Sequence, residues 1–259
     1  MKRILSVFLV ALLVISLAFM AVGCDKKADT NKDKVYKVGS ETTYPPFEMV
    51  DNNGKFTGFD MELFQAIAEA GGFKIEIVSL GFDGLIPALQ AGNIDAAISA
   101  MSINDERKKS VDFSDPYFNS GLIIAVPADN NTIKTLNDLK GKTVAVQIGT
   151  TGASMAESIK AKNPSTVIKT FNTIDIAFAE MKNKGADAVI NDMPVTADYI
   201  KKGHPEAKMV GSLLSAEPYG IAFAKGSEFK TLVDNGLKKI KENGKYDEIF
   251  KKYFGDMPQ

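Results

Sequence analysis

The chain has 259 residues, 45% hydrophobic and 24% charged, with a formal net charge of −1 and single cysteine and histidine residues. The length suits one large or two modest domains around a sizeable core. The near-balanced charge argues against nucleic acid as the main partner. A lone cysteine excludes an intramolecular disulfide, and one histidine, one cysteine and scattered acids make no metal site.

The N-terminus starts with Lys2 and Arg3, runs apolar over residues 4–20 with only Ser6 and Ser16 interrupting, and reaches Ala21-Val22-Gly23-Cys24. A positive start, an apolar stretch and a small-residue processing site make a secretory signal. The site looks like a bacterial lipobox, with residues 1–23 removed and Cys24 lipidated as the mature N-terminus. Ala21 departs from that pattern, where a larger aliphatic residue is commoner. The other reading is an uncleaved anchor, because the run approaches the ~20 residues that span a bilayer. Both readings put the domain outside the cytoplasmic membrane. Residues 24–34 (the lipidated Cys24, then DKKADTNKDK) lack a large apolar side chain after the cysteine and read as a solvated tether.

Downstream, short apolar strands alternate with amphipathic helices. Strands are expected at 35–39, 73–80 and 95–100, with helices at 58–70 and 84–91, the first stopping at Gly71-Gly72 and the second at Gly92. The order then recurs: strands at 143–147, 167–171, 186–190 and 208–210, helices at 152–161, 174–183 and 194–201. Two further helices cover 227–243 and 245–254. Such β-α-β order argues for mostly parallel sheets with helices on both faces. Phe47, Phe59, Phe64, Leu85, Ile86 and Leu89 read as core. His204, in Lys-Gly-His-Pro, reads as an exposed loop residue.

Three places carry chemistry. The stretch 99–118, SAMSINDERKKSVDFSDPYF, sets the Ser102 hydroxyl and the Arg107 guanidinium just beyond the apolar run 94–98. A planar charged fork beside a hydroxyl at the mouth of a buried strand suits a small carboxylate, although on charge alone residues 105–109 read as a solvated helix face. Gly149-Thr150-Thr151-Gly152 lies between a strand and a helix, where free N–H groups and the positive dipole end favour an anion. The plainer role is a threonine cap, and the two are compatible. A nucleotide phosphate loop is disfavoured because the Gly-Lys-Ser/Thr ending is missing, and no cofactor is expected. Asp192 closes a strand, where its carboxylate can meet an ammonium or merely cap the helix that follows.

Seven motifs in order, spanning about residues 35–255, resemble the extracellular solute-binding proteins of family 3, the polar amino-acid-binding proteins of ABC importers. They are Tyr44-Pro45-Pro46-Phe47-Glu48, Gly58-Phe59-Asp60, Phe82-Asp83-Gly84-Leu85-Ile86-Pro87-Ala88-Leu89, the 99–118 stretch, Gln147-Ile148-Gly149-Thr150-Thr151-Gly152, Asn191-Asp192 and Tyr219-Gly220-Ile221-Ala222. The resemblance implies a periplasmic-binding-protein-like α/β fold: two lobes joined by two hinge strands with the ligand cleft between them. It implies lobe 1 at 35–117 plus 221–259, lobe 2 at 122–215 and hinges at 117–121 and 216–220. It further implies that Arg107 and Ser102 hold a ligand's α-carboxylate, with Thr150 and Thr151 beside them, and that Asp192 and the Ala100 carbonyl hold its α-ammonium.

By the same resemblance the ligand side chain passes Glu41, Tyr44, Phe82 and Gln147. One acid, two aromatic faces and a neutral amide suit a flat cation. The motifs resemble arginine and basic amino-acid binders, with lysine, ornithine or histidine as related guests and glutamine as the near alternative. The implied role is a monomeric, lipid-anchored receptor on the cell surface or in the periplasm that delivers its ligand to an ABC permease and does no chemistry. Two rivals are a cyclohexadienyl dehydratase-like enzyme, using Glu41, Asp192 or Glu217 as general acid, and a sensor input.

Overall fold

The computed structural model describes residues 34–255. The expected secretory signal, the expected lipidation site Cys24 and all of the expected tether but Lys34 lie outside the described residues. In chain order the elements are β1 Val35–Ser40, β2 Met49–Val50, β3 Phe56–Thr57, α1 Phe59–Gly71, β4 Lys74–Ser79, α2 Leu85–Gln90, β5 Ala96–Ala97, α3 Asp105–Ser110, β6 Val111–Phe113 and β7 Phe118–Ser120. Then come β8 Leu122–Pro127, β9 Thr143–Gln147, α4 Thr151–Lys162, β10 Val167–Phe171, α5 Ile174–Lys182, β11 Ala188–Asp192, α6 Met193–Lys201, β12 Ala207–Val210, β13 Glu217–Tyr219, β14 Ala222–Ala224, α7 Phe229–Glu242 and α8 Lys245–Phe254.

Two five-stranded sheets carry these elements, in the orders β4-β1-β5-β14-β6 and β10-β9-β11-β8-β12. Both are mixed. In the first, β1 pairs parallel with β4 and β5, whereas β14 runs antiparallel to β5 and β6. In the second, β9 pairs parallel with β10 and β11, whereas β8 runs antiparallel to β11 and β12. Four of the five strands in each sheet point the same way, as the expectation of mostly parallel sheets has it; the one opposed strand, β8 in the second sheet and β14 in the first, is the strand by which the chain enters from the crossing ribbon. The 3.6- and 2-residue periods cannot show that.

The chain leaves the first sheet after β6, passes through β7 into β8, and returns from β12 through β13 into β14. These two crossing strands pair antiparallel, Tyr219 opposite Phe118 and Glu217 opposite Ser120. Each lobe therefore has its own sheet, and the two are tied by a narrow ribbon. Such geometry permits hinge bending.

Both faces of each sheet are covered. In the second sheet Leu122, Ile124, Val126, Val144 and Val146 face α4 residues Ala156 and Ile159. The alternating Ala125 and Ala145 join the cluster of Ile174, Phe178 and Val195 on the other face, the two-residue period of a pleated strand. In the first sheet α2 covers one face through Leu85 and Leu89, and α1 covers the other through Phe64 and Ile67. Beneath the crossing strands Phe47, Phe59, Phe118, Phe250 and Phe254 pack mostly edge-on or tilted at 4.8–6.1 Å between centroids. That cluster fastens α8 to the ribbon, and edge-to-face pairs add to the burial of area.

Three local expectations change. The strand expected at 95–100 shortens to Ala96–Ala97 because the backbone turns at Ala100, which has φ +44°. The continuous apolar run 122–127, not expected as a strand, forms β8 between β11 and β12; such runs mark strands buried on both faces. His204 is half-buried, its ring stacked 3.8 Å from Tyr199 and its Nδ1 3.1 Å from Glu206 Oε1, so it is not a solvated loop residue.

Candidate ligand cleft between the two sheets

The candidate residues arrive from the carboxyl ends of strands in both sheets, the edge where open α/β sheets bind ligands. Glu41 follows β1, Ala100 and Ser102 follow β5, Gln147 ends β9 and Asp192 ends β11. Tyr44 and Phe82 sit in the turns after β1 and before α2, Arg107 on α3, and Thr150 and Thr151 at the start of α4. All ten line one cavity of about 250 Å³, together with Ser99. A larger open groove on the outer face of α1, β4 and α8 lacks such a convergence of buried polar groups.

One end is cationic. Arg107 belongs to the predicted charge run, but its guanidinium turns inward: Nη1 donates to the Ser102 carbonyl at 2.7 Å and Nη2 to the Gly149 carbonyl at 3.1 Å. The second bond crosses between the sheets. The Phe82 ring covers the guanidinium at 5.2 Å, within cation–π range. Burial pulls the Arg107 pKa below its ordinary value, and the Asp192 and Glu217 charges oppose that shift; guanidinium remains charged. Gly149 has φ +75°, and a Cβ there would come within 3.1 Å of Asp83 Cβ on the opposite lobe. Glycine thus lets the loop and its carbonyl approach Arg107.

Thr150 caps α4: its hydroxyl accepts from Ala153 N–H at 3.1 Å and donates to the Gln147 carbonyl at 2.8 Å. The hydroxyl is occupied locally and takes the Ala153 N–H, which leaves the Thr151 and Gly152 N–H groups, with no intrahelical acceptor, as donors.

Asp192 precedes α6 in the N-cap position, yet its side chain makes no capping bond. Its Oδ2 accepts from the Tyr44 hydroxyl at 2.6 Å, and the same hydroxyl lies 2.7 Å from Asn191 Oδ1. Asp192 Oδ1 is buried without a donor. Burial pushes the Asp192 carboxyl up to about 6; the Tyr44 and Tyr219 hydroxyls and Arg107 oppose this, and Glu217 adds to it. A buried carboxylate met by neutral hydroxyls, near a guanidinium that does not consume it, is available to a cation.

Glu41 forms the other end. Its carboxylate accepts from Thr43 Oγ1 and from Gln147 Nε2, the latter at 2.6 Å and again between the sheets. Gln147 Nε2 also reaches the Asn172 carbonyl at 3.1 Å, and Gln147 Oε1 is buried without a partner. Burial raises the Glu41 pKa, the Thr43 and Gln147 bonds oppose this, and the Asp175 and Asp83 charges add to it. This end is therefore a pocket of unbalanced negative potential with an orphan acceptor beside it.

Two contributors were missed in the sequence. Ser99 lines the cavity, accepts from Glu41 N–H at 3.1 Å and donates to Glu48 Oε1 at 2.8 Å. Asn191 was singled out only as part of a motif, yet it meets the Tyr44 hydroxyl. Adjacency to Ala100 and Asp192 at strand ends was the available signal for both.

Two α/β lobes, a two-strand ribbon and a polar cavity between the sheets define a two-lobed solute-binding protein. Residues 36–256 match the model of the bacterial extracellular solute-binding proteins, family 3, and the chain belongs to that family. Among its relatives is a probable histidine-binding protein of Neisseria gonorrhoeae, 38% identical over 86% of this chain and 84% of that one. An ancestral arginine-binding protein solved with arginine superimposes with TM-score 0.82, at 45% identity over 85% of this chain and 98% of that one. The arginine-, lysine-, histidine-binding protein ArtJ of the thermophilic bacterium Geobacillus stearothermophilus gives TM-score 0.82, at 41% identity over 87% and 97% of the two chains.

Proposed function

We propose that the protein captures a basic L-amino acid, arginine before lysine or histidine, by closing its lobes, and delivers it to the permease of an ABC importer. The observation that carries this is the charge order along one cavity. Arg107 and the α4 N-terminus take the α-carboxylate, Asp192 Oδ1 the α-ammonium, and Glu41 with Gln147 Oε1 a cationic side chain. Tyr44 and Phe82 flank that path, and Ser102 and the Ala100 carbonyl complete the α-amino-acid end. The names of the relatives support the same ligand class. In this proposal the lobes comprise residues 35–117 plus 221–259 and residues 122–215. They move about 117–121 and 216–220, so ligand favours closure through contacts made by both lobes. The chain works as a monomer, held outside the cytoplasmic membrane by lipid on Cys24.

Binding without turnover is part of the proposal. The rival, dehydration of prephenate or arogenate, draws on Asp192, whose pKa near 6 would let it give up a proton. Incubation with either compound should leave it unchanged; product formation would favour the rival.

A thermal-shift screen tests the ligand class. A ligand that binds only the folded state stabilises it by RT ln(1 + [L]/Kd), about 2.7 kcal/mol at one hundred times Kd. Arginine, lysine and histidine should raise the melting temperature and glutamate should not. A shift with glutamate alone would refute the charge order.

Asp192 adds a pH signature. The ammonium needs an ionised Asp192, so arginine affinity should fall as pH drops through about 6, approaching tenfold per pH unit. The sign for the free protein is opposite. A carboxyl raised in the folded state binds more protons there than unfolded, so its contribution to stability declines as pH rises from 3.8 to about 6. Asp192→Asn should therefore melt higher than the parent at pH 7.5 without ligand, yet bind arginine at least about tenfold more weakly. Calorimetry and melting curves across pH 5–8 check both.

A further inference from the structure

Behind the cavity wall lie two carboxyl groups that the binding proposal does not use. Glu48 and Asp60 are both 0% exposed. Their hydrogen bonds come from neutral donors: Ser99 Oγ to Glu48 Oε1 at 2.8 Å, and Ala100 N–H and Tyr117 OH to Asp60 Oδ2 at 2.7 and 2.8 Å. The second oxygens, Glu48 Oε2 and Asp60 Oδ1, are buried with no donor. The backbone brings the two residues together. Gly58, at φ +123°, has no room for a Cβ, which would lie 2.2 Å from the Phe47 carbonyl. Asp60 N–H bonds that same carbonyl at 2.9 Å. The two side chains are hydrogen-bond neighbours, and the orphan oxygens are the atoms left over for that bond. Two ionised carboxylates in contact, without a cation, would repel and leave two buried acceptors unsatisfied. One proton between them removes both problems.

We propose that Glu48 and Asp60 share a single proton and act together as a positioning pair that fixes the Ser99–Ala100 turn against the cleft. The consequence for ligand rests on the binding proposal above; the shared proton does not. Glu48 orients Ser99, which in turn holds the Glu41 N–H at 3.1 Å. Asp60 anchors the N–H of Ala100, whose φ of +44° an alanine rarely adopts unaided. Glu41 and the Ala100 carbonyl are thereby set from behind. Burial raises both carboxyls, Asp60 to about 6 and Glu48 well above its ordinary value, with the Asp60 and Glu41 charges adding to the rise in Glu48. The other groups facing the pair are the hydroxyls of Ser99, Tyr117, Tyr219 and Tyr246.

Amide variants of the full chain test the proton count. In Glu48→Gln the new N–H₂ donates to Asp60 while Oε1 still accepts from Ser99. In Asp60→Asn the N–H₂ donates to an ionised Glu48 while Oδ1 still accepts from Ala100 and Tyr117. Each single variant should melt within a few degrees of the parent and bind arginine within about threefold. The double variant sets two N–H₂ groups face to face. It should fail to fold, or lose about tenfold or more in arginine affinity, and more in melting temperature, beyond the combined effects of the singles. A merely structural role would not move a third readout. The native pair keeps a proton that the unfolded chain gives up, so parent stability falls as pH rises above 4.5, the ordinary value for Glu48, and Glu48→Gln should flatten that slope. Additive effects, a Glu48→Gln protein that does not fold or bind, or an unchanged slope would each overturn the proposal. If the parent binds no amino acid, the melting and slope results still judge the pair, and only the ligand proposal fails.

Discussion

Arg107→Ala is expected to lower affinity for every amino acid the cleft accepts, by about 100-fold or more. The guanidinium is half-buried, aimed inward by the Ser102 and Gly149 carbonyls, and covered by Phe82. Truncating one member of a buried, hydrogen-bonded charge pair costs about 2–5 kcal/mol, much of it from the partner charge left unpaired. Here that partner is the α-carboxylate, which arginine, lysine, histidine and glutamine have in common. The losses should therefore be similar across ligands, leaving their ranking intact. Removing Arg107 also breaks a bond between the two sheets, so part of the loss reflects a less favoured closed form. Titration calorimetry on the variant checks both features, and affinity within a few-fold of the parent would discard the carboxylate role.

Glu41→Gln is expected to act selectively. Gln147 Nε2 and Thr43 Oγ1 already bond the Glu41 carboxylate, and Asp83 and Asp175 add negative potential nearby. A cationic side chain is favoured there; a neutral amide gains a hydrogen bond only. Hydrogen bonds to charged groups contribute about 1.5–3 kcal/mol against about 0.5–1.5 for neutral ones. Arginine affinity should fall roughly 10- to 100-fold, and glutamine affinity by a few-fold at most. Parallel titrations give the ratio directly, and equal losses would remove Glu41 from the specificity pocket.

Much of the cleft was legible because its residues sit where strands end. Asp192 closes an apolar run and Gly149 and Gly152 bracket the threonines, so their place at the sheet edge follows from element order, whereas Glu41 and Gln147 were assigned only through the family resemblance. Arg107 was ambiguous from charge alone. The Asp105-to-Lys109 run is solvated at Asp105 and Lys109, and only the fold turns the middle guanidinium inward. The long-range partners were out of reach. Tyr44 meets Asn191 and Asp192, and Gln147 meets Glu41, across 106 to 148 residues of sequence; no local period encodes such a pairing. Ser99 and the Glu48–Asp60 pair were hidden for a related reason: each stands in a segment whose neighbours already had an assignment as motif or core. The antiparallel return of β8 and β14 has no signal in alternation, which is the same for either strand direction.

The most direct test of the central claim is calorimetric titration of residues 33–259 with arginine, lysine, histidine, glutamine and glutamate, after unfolding and refolding to remove carried-over ligand. Arginine should bind tightly, lysine and histidine less tightly, glutamine weakly and glutamate not at all. Glutamine or another neutral amino acid binding best would contradict the role given to Glu41, and silence across all five would contradict the amino-acid cleft itself.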